Sequence, residues 1–162
     1  LVVIVPRKGT FVKKVTRKDV EENFPVRSVL EGLAAKEAHP KMTSQILEEL
    51  AQVLDKMETA VEKDDAKAYW KNHLEFHDIF IRATGNEVLI NILTTLRMHS
   101  LWYRFSYQYY QEDLRRSLAV HQKIFGFFRN KDVDGHEIGN LVQEHIQTAY
   151  QSFMDYLDEQ TI

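Results

Sequence analysis

Four of the seven histidines stand where helical side chains could converge on one metal ion. His73 and His77 are four residues apart in an amphipathic segment, so on a helix their Cβ atoms lie about 6 Å apart on one face. His121 and His145 fall on the core-facing stripes of two later helical segments. Three helices that supply two, one and one imidazoles to a common interior could chelate a divalent transition metal.

A second interpretation of each histidine stays open. A single buried histidine is ordinarily a core residue whose ring nitrogens bind a neighbour or water. Four polar rings in one core would be costly to bury unless something binds them, which favours a shared site. The other three histidines, His39, His99 and His136, lack this pattern and are predicted to be surface or cap residues.

The ligand chemistry follows from what the chain lacks. It has no cysteine, so a metal would be bound by imidazole and oxygen, which suits zinc, nickel, copper or ferrous iron. Binding requires neutral imidazoles, so the affinity is predicted to fall as the pH drops through about 6.5. Glu75 is two positions from His73 and from His77 and therefore points away from them on a helix. No obvious general base for metal-assisted hydrolysis remains.

Arg97 and Arg104 lie seven residues apart on one partly apolar helical stripe. They are interpreted either as surface salt-bridge partners or as effector-binding residues. In the second case one or both reach a pocket and form bidentate hydrogen bonds to a carboxylate. The segment around Arg104 is rich in aromatic side chains, which are more often core or dimer interface than a binding cage. These residues are Trp102, Tyr103, Phe105, Tyr107, Tyr109 and Tyr110.

Composition narrows the class of protein. A chain of 162 residues with 44% hydrophobic content predicts one domain with a sizeable core. No apolar run reaches transmembrane length and no signal peptide is recognisable, and the absence of cysteine fits a reducing cytoplasm. The net charge of −3 does not favour a nucleic-acid-binding surface. Because the chain begins with Leu1, we expect it to be part of a longer protein.

Two regions differ in pattern. Residues 1–15 carry two β-branched runs around Pro6-Arg7-Lys8-Gly9 and predict a β-hairpin with a basic tip. Residues 16–162 predict six helices joined by short links, and hence an all-α antiparallel bundle. Capping residues predict where the helices begin, and Pro25 is predicted to kink the first helix or to split off a short piece. The predicted spans are about 17–38, 43 or 44 to 63, 64 or 65 to 85, 86 to 110 or 111, 113–128 and 134–158.

The combined motifs resemble GntR-family transcription regulators of the FadR type, whose C-terminal part is the FCD domain. Residues 1–34 look like the wing of a winged helix-turn-helix that runs into the first helix of the effector domain. The stretches that carry the resemblance further are Glu75-Phe76-His77-Asp78, Ala83-Thr84-Gly85-Asn86, Arg104-Phe105, Val120-His121-Gln122-Lys123-Ile124 and Glu144-His145.

The resemblance implies a dimer of six- to seven-helix bundles, each with a small-molecule effector at its centre. In the metal-containing branch an Asp or Asn and three His bind a divalent cation, often zinc or nickel, that small carboxylates can coordinate. His77, His121 and His145 match the family histidines, and His73 stands where Asp or Asn is usual. Arg104 matches a recurrent arginine.

The leading hypothesis is therefore the sensing and dimerising part of a bacterial, cytoplasmic transcription regulator, and not an enzyme. Its DNA-reading helices would precede Leu1, with Arg7, Lys8 and Gly9 of the wing near DNA. Two alternatives stay open: a helical-bundle metal-dependent hydrolase, and a metal-free domain that binds an apolar ligand.

Overall fold

The computed structural model describes residues 2–5, 9–12, 16–97 and 114–159, and within them it is an all-α bundle preceded by two short strands. The predicted fold class is confirmed. A 3-10 turn, His39–Lys41, follows the first helix. The helices are α1 Arg17–Ala38, α2 Ser44–Glu62, α3 Ala66–Ala83, α4 Glu87–Arg97, α5 Leu114–Arg129 and α6 Gly135–Glu159. None of these described helices is both long and apolar enough to cross a membrane.

The two strands form the predicted hairpin. Strand β1, Val2–Val5, pairs antiparallel with β2, Gly9–Val12, and the register places Val2 opposite Val12 and Val5 opposite Gly9. Gly9 has a φ of 108°, a conformation that side-chain-bearing residues rarely adopt, so the second strand begins at a glycine for a backbone reason. Arg7 and Lys8 lie outside the described residues.

The helices begin at the capping residues that the sequence indicates. Thr16 and Asp19 form a reciprocal capping box at the start of α1. The side chains of Thr43, Asp65 and Asn86 accept hydrogen bonds from backbone amides in the first turns of α2, α3 and α4. These contacts satisfy N–H groups that have no partner within a helix, and so they fix where each helix begins.

Helix α1 passes through Pro25 as one continuous element of 22 residues, so the predicted split is wrong. Proline removes one N–H donor and crowds the preceding turn, but Pro25 lies on the exposed side of the helix. Phe24, Arg27 and Ser28 are buried on either side of it, and tertiary packing therefore holds both halves in one helix.

Helices α1 and α6 approach each other closely at a pair of glycines. A Cβ atom on Gly32 would lie 2.8 Å from the carbonyl oxygen of Gly139, and one on Gly139 would lie 2.9 Å from that of Gly32. The two backbones thus touch where both side chains are missing. This crossing brings the buried face of α1 directly against the helix that carries His145.

Candidate metal centre

The four predicted histidines lie together in the bundle interior. Helix α3 provides His73 and His77, α5 provides His121 and α6 provides His145, and one nitrogen from each lies within 4.8 Å of the others. The first three are buried, and His145 is partly exposed. The spacing of the residues therefore predicted a real cluster, while its metal binding stays a prediction.

Hydrogen bonds fix the ring orientation of two of these histidines. His77 donates from Nδ1 to Glu31 Oε2 at 2.6 Å, and His121 donates from Nδ1 to the backbone carbonyl oxygen of Ser117 at 2.7 Å. Neither partner can donate a proton, so each ring carries its hydrogen on Nδ1. In the neutral rings both Nε2 atoms then carry lone pairs, and they face each other at 3.1 Å.

The distance between these two Nε2 atoms can be compared with the distance between two ligands of one metal ion. Two such nitrogens cannot hydrogen-bond to each other, and a cation between them would turn the repulsive contact into two bonds. Ligands of a tetrahedral zinc at about 2.0–2.1 Å lie about 3.3 Å apart. Adjacent ligands of an octahedral ion with similar bonds lie about 2.9 Å apart. The observed 3.1 Å lies between these values, so His77 and His121 stand at the spacing of two neighbouring ligands of one divalent transition metal.

The electrostatic environment keeps the imidazoles neutral. Burial, followed by the neighbouring imidazoles, places the pKa of His73 and of His121 well below 6.5. Burial and then His77 lower the pKa of His145 to about 3. Burial also lowers the pKa of His77, although Glu31 acts in the opposite direction. Neutral rings are the form that binds metal.

Glu31 is a fully buried carboxylate that accepts the hydrogen bond of His77 Nδ1, the ring nitrogen that does not face His121. Arg27 Nε lies 2.8 Å from Glu31 Oε1 without the alignment of a hydrogen bond, and Arg97 Nε lies 3.8 Å from the same oxygen. Burial alone would raise the pKa of Glu31, but Arg27, His77 and Arg97 outweigh it and hold that pKa well below its usual range. A carboxylate behind a histidine ligand typically fixes its tautomer and raises its basicity.

Arg27 and Glu31 were not predicted as site residues, yet both are buried. The available signal was their spacing. They lie four residues apart on the stripe of α1 that also carries Phe24 and Ala35, while the apolar Val26 and Val29 point outward. Charged residues in core positions, with apolar residues on the surface, distinguish this helix from one whose buried face only packs against the core.

A cavity of about 170 Å³ adjoins the histidine cluster. His73 and His145 belong to both the cluster and the cavity wall, so a small molecule in the cavity can reach the metal position. The other lining residues are Arg27, Trp70, Arg116, Ser117, Val120, Leu141, Glu144, Ile146, Thr148, Ala149 and Ser152. Helices α1, α3, α5 and α6 all contribute to it.

The remaining predicted residues have different surroundings. Arg97 forms ion pairs with Asp78 and with Glu31 and donates to the Leu74 carbonyl at 2.9 Å; it is not among the described lining of the cavity. Arg104 and the aromatic segment lie outside the described residues. Glu75 is exposed, as expected for a residue that faces away from the site.

Together, the bundle and its central cluster define an all-α domain whose interior brings four imidazole rings close together. The model of the FCD domain matches residues 22–148, and this range includes all four histidines. The chain therefore belongs to the FCD domain family, the kind of domain that GntR-family regulators carry.

Individual relatives agree with this family. The gluconate operon transcriptional repressor of Bacillus licheniformis is 22% identical over 140 residues, which are 82% of this chain and 57% of that protein. This chain thus spans little more than half the length of that relative. The structure of E. coli McbR/YncC matches 96% of this chain and 74% of its own, with 20% identity and a TM-score of 0.83. Streptococcus agalactiae GntR matches 93% and 74%, with 19% identity and a TM-score of 0.70. At this identity the structural likeness shows the fold alone.

Proposed function

We propose that this chain is the sensing and dimerising part of a cytoplasmic bacterial transcription regulator. In this proposal the histidine cluster binds a divalent metal, zinc or nickel, and the neighbouring cavity binds a small carboxylate. Occupancy of the cavity then changes the affinity of the whole protein for DNA. Family membership and the repressor name of one relative support the regulatory role.

The observation that carries the metal assignment is the contact between the Nε2 atoms of His77 and His121. Both Nδ1 atoms are committed to acceptors, so the 3.1 Å contact between two lone pairs is best explained by a cation between them. His73 and His145 complete a set of four neutral ligands. Such a set leaves the full charge of a divalent ion uncompensated, which favours an anion as an additional ligand.

The effector assignment follows from that charge. Arg27 lines the cavity from its buried side, and His73 and His145 connect the cavity to the metal position. A carboxylate could therefore bind the metal and lie near a guanidinium at the same time. The relative named for a gluconate operon makes gluconate one carboxylate worth testing, but at 22% identity the effector does not follow from that name.

A homodimer is supported by exposed apolar side chains on two neighbouring helices, α1 and α4. The two helices pack against each other, and Asn23 Nδ2 donates to the carbonyl oxygen of Leu96 at 3.4 Å. The exposed apolar side chains of these helices are Val26, Val29, Leu33, Val88 and Ile92. A second copy could cover such a patch through a two-fold axis. We expect Val29→Glu to dissociate the dimer in analytical ultracentrifugation, and Thr59→Glu, at an exposed site on α2, to leave it intact.

DNA binding is assigned to the domain that would precede this chain, with residues 1–15 as its wing and Arg7, Lys8 and Gly9 near DNA. Residues 16–162 form the sensing domain in this proposal. The full-length protein should select a DNA sequence from a randomised library in a mobility-shift assay. Failure to select DNA in metal-free and in zinc-loaded form, with and without carboxylates, would reject the regulatory role.

The metal assignment is tested by plasma mass spectrometry of the purified chain. We expect about one equivalent of zinc or nickel per chain in the wild type and almost none in His77→Ala/His121→Ala. His136→Ala is the matched control, because His136 is exposed and outside the cluster. Equal metal content in all three proteins would mean that the cluster does not bind the metal.

A further inference from the structure

The cavity beside the histidine cluster has two chemically different walls and a charged rim. Its buried polar wall is formed by Arg27, His73 and Ser117. Its buried apolar wall is formed by Trp70, Ile146 and Ala149. Its exposed rim carries Arg116, Glu144 and Thr148. A ligand that satisfies both buried walls must combine a polar end with an apolar body.

Ser117 gives the polar wall its most specific feature. Its side chain is 7% exposed, and its hydroxyl has no hydrogen-bond partner among the described residues. A buried hydroxyl without a partner is rare in folded proteins and indicates a missing ligand or water. Ser117 lines the cavity and lies one turn before His121 on α5, so the cavity wall and the histidine cluster adjoin on this helix.

The size and polarity of the cavity limit the body of the ligand. An apolar cavity of about 150 Å³ accommodates benzene, so 170 Å³ suits a short aliphatic chain or a single aromatic ring. A sugar acid would press hydroxyl groups against Trp70, Ile146 and Ala149, whose side chains offer the hydroxyl hydrogens no acceptor. Hydroxyl groups that lose water without a new partner weaken binding.

Resting on the proposed function, we infer that the effector is a small monocarboxylate with an apolar body, and not a polyhydroxylated sugar acid. Its carboxylate lies against Arg27 and Ser117 and faces the metal position. Its hydrocarbon part packs on Trp70, Ile146 and Ala149. Ser117 is then a specificity-determining residue, because its hydroxyl can donate to a carboxylate oxygen.

Calorimetric titration of the zinc-loaded chain with four probes tests the ligand class. We expect benzoate and pentanoate to bind at least tenfold more tightly than gluconate and than benzamide, the uncharged analogue of benzoate. Tighter binding of gluconate overturns the apolar-body inference while leaving carboxylate sensing intact. Equal binding of benzamide and benzoate overturns the anionic head. If zinc binds but no carboxylate does, the proposed effector function fails together with this inference.

Two variants test the placement of the ligand. Ser117→Ala should weaken benzoate binding about tenfold, because a hydrogen bond to a charged group is lost. It should not lower the melting temperature of the ligand-free protein, because this hydroxyl makes no hydrogen bond to the described residues. Ala149→Leu should fill the cavity and abolish benzoate binding at unchanged zinc content, whereas Ala119→Leu, at an exposed site on α5, should not. Wild-type benzoate affinity in Ser117→Ala or in Ala149→Leu overturns the placement.

Discussion

Replacing Glu31 by glutamine should damage both the stability of the domain and its metal affinity. The substitution keeps the shape of the side chain but removes the charge that faces Arg27, Arg97 and His77. Removing one partner of a buried ion pair typically costs about 3–5 kcal/mol. A domain of this size has about 5–15 kcal/mol in total, so we expect metal-free Glu31→Gln to melt about 6–20 °C below the wild type.

The effect on metal binding is separate and smaller. Loss of a carboxylate behind a histidine ligand typically weakens metal binding 10- to 100-fold, or about 1.4–2.7 kcal/mol. Competition with a chromophoric chelator would measure this affinity at pH 7.5, and urea unfolding of the metal-free protein would measure the stability. Glu75→Gln is the matched control, because Glu75 is exposed on the same helix as His77 and should change neither quantity.

A double variant separates folding from ligand orientation. Arg27→Met/Glu31→Met replaces the buried pair by apolar side chains, and such replacements are often neutral or stabilising. It should recover most of the stability but not the metal affinity. Wild-type stability in Glu31→Gln would refute the buried ion-pair argument. Wild-type metal affinity in the double variant would refute the orienting role of Glu31.

Three further outcomes are expected from other parts of the bundle. Gly139→Ala should lower the free energy of unfolding by about 1–3 kcal/mol, because its Cβ would meet the carbonyl of Gly32, whereas Gly126→Ala, with nothing within 4 Å, should raise it by about 0.5–1 kcal/mol. Equal effects in urea unfolding would contradict the close helix crossing. Stability of the metal-free protein should be fully present above pH 6.5 and fall below it, by up to about 1.4 kcal/mol per pH unit for each buried histidine, because the unfolded chain takes up protons that the neutral rings do not. For His145 the fall should continue to about pH 3, and a flat stability profile from pH 7 to 4 would contradict the burial. Asp65→Ala should cost about 1 kcal/mol, since its carboxylate caps α3, and an unchanged melting temperature would contradict the cap.

Burial of the cluster also changes the pH at which protons should compete with the metal. An isolated imidazole loses metal affinity near pH 6.5, but burial lowers the pKa of all four rings. Proton competition within the folded protein therefore begins at a lower pH than the sequence predicts. The sequence could not give this shift, because it depends on how completely the bundle excludes water from the cluster.

Local signals in the sequence were sufficient for most of the fold. The capping box at Thr16 and the cap at Asn86 depend on residues three positions apart, and the paired histidines of α3 depend on residues four apart. The course of α1 through Pro25 could not be predicted locally, because packing on both sides of the proline decides it.

The candidate site was predicted less completely than the fold. Its histidines were found because helical spacing places them on inward faces. Glu31 and Ser117 were missed, because their importance arises only where α1 and α5 meet the histidines of other helices. The cavity likewise exists only in the tertiary structure, since residues from four helices line it.

Because α1 and α6 cross at a pair of glycines, a small tilt of α1 about this crossing would move the distant end of the helix much further than the crossing itself. Gly32 is the point where the two backbones touch, and it immediately follows Glu31, which holds His77. The helix extends 15 residues from Gly32 back to Arg17, or about 22 Å at 1.5 Å per residue. A tilt of about 5° at this fulcrum would therefore displace the far end of α1 by about 2 Å, so a small adjustment around Glu31 would be amplified at the end of α1 that leads toward the hairpin.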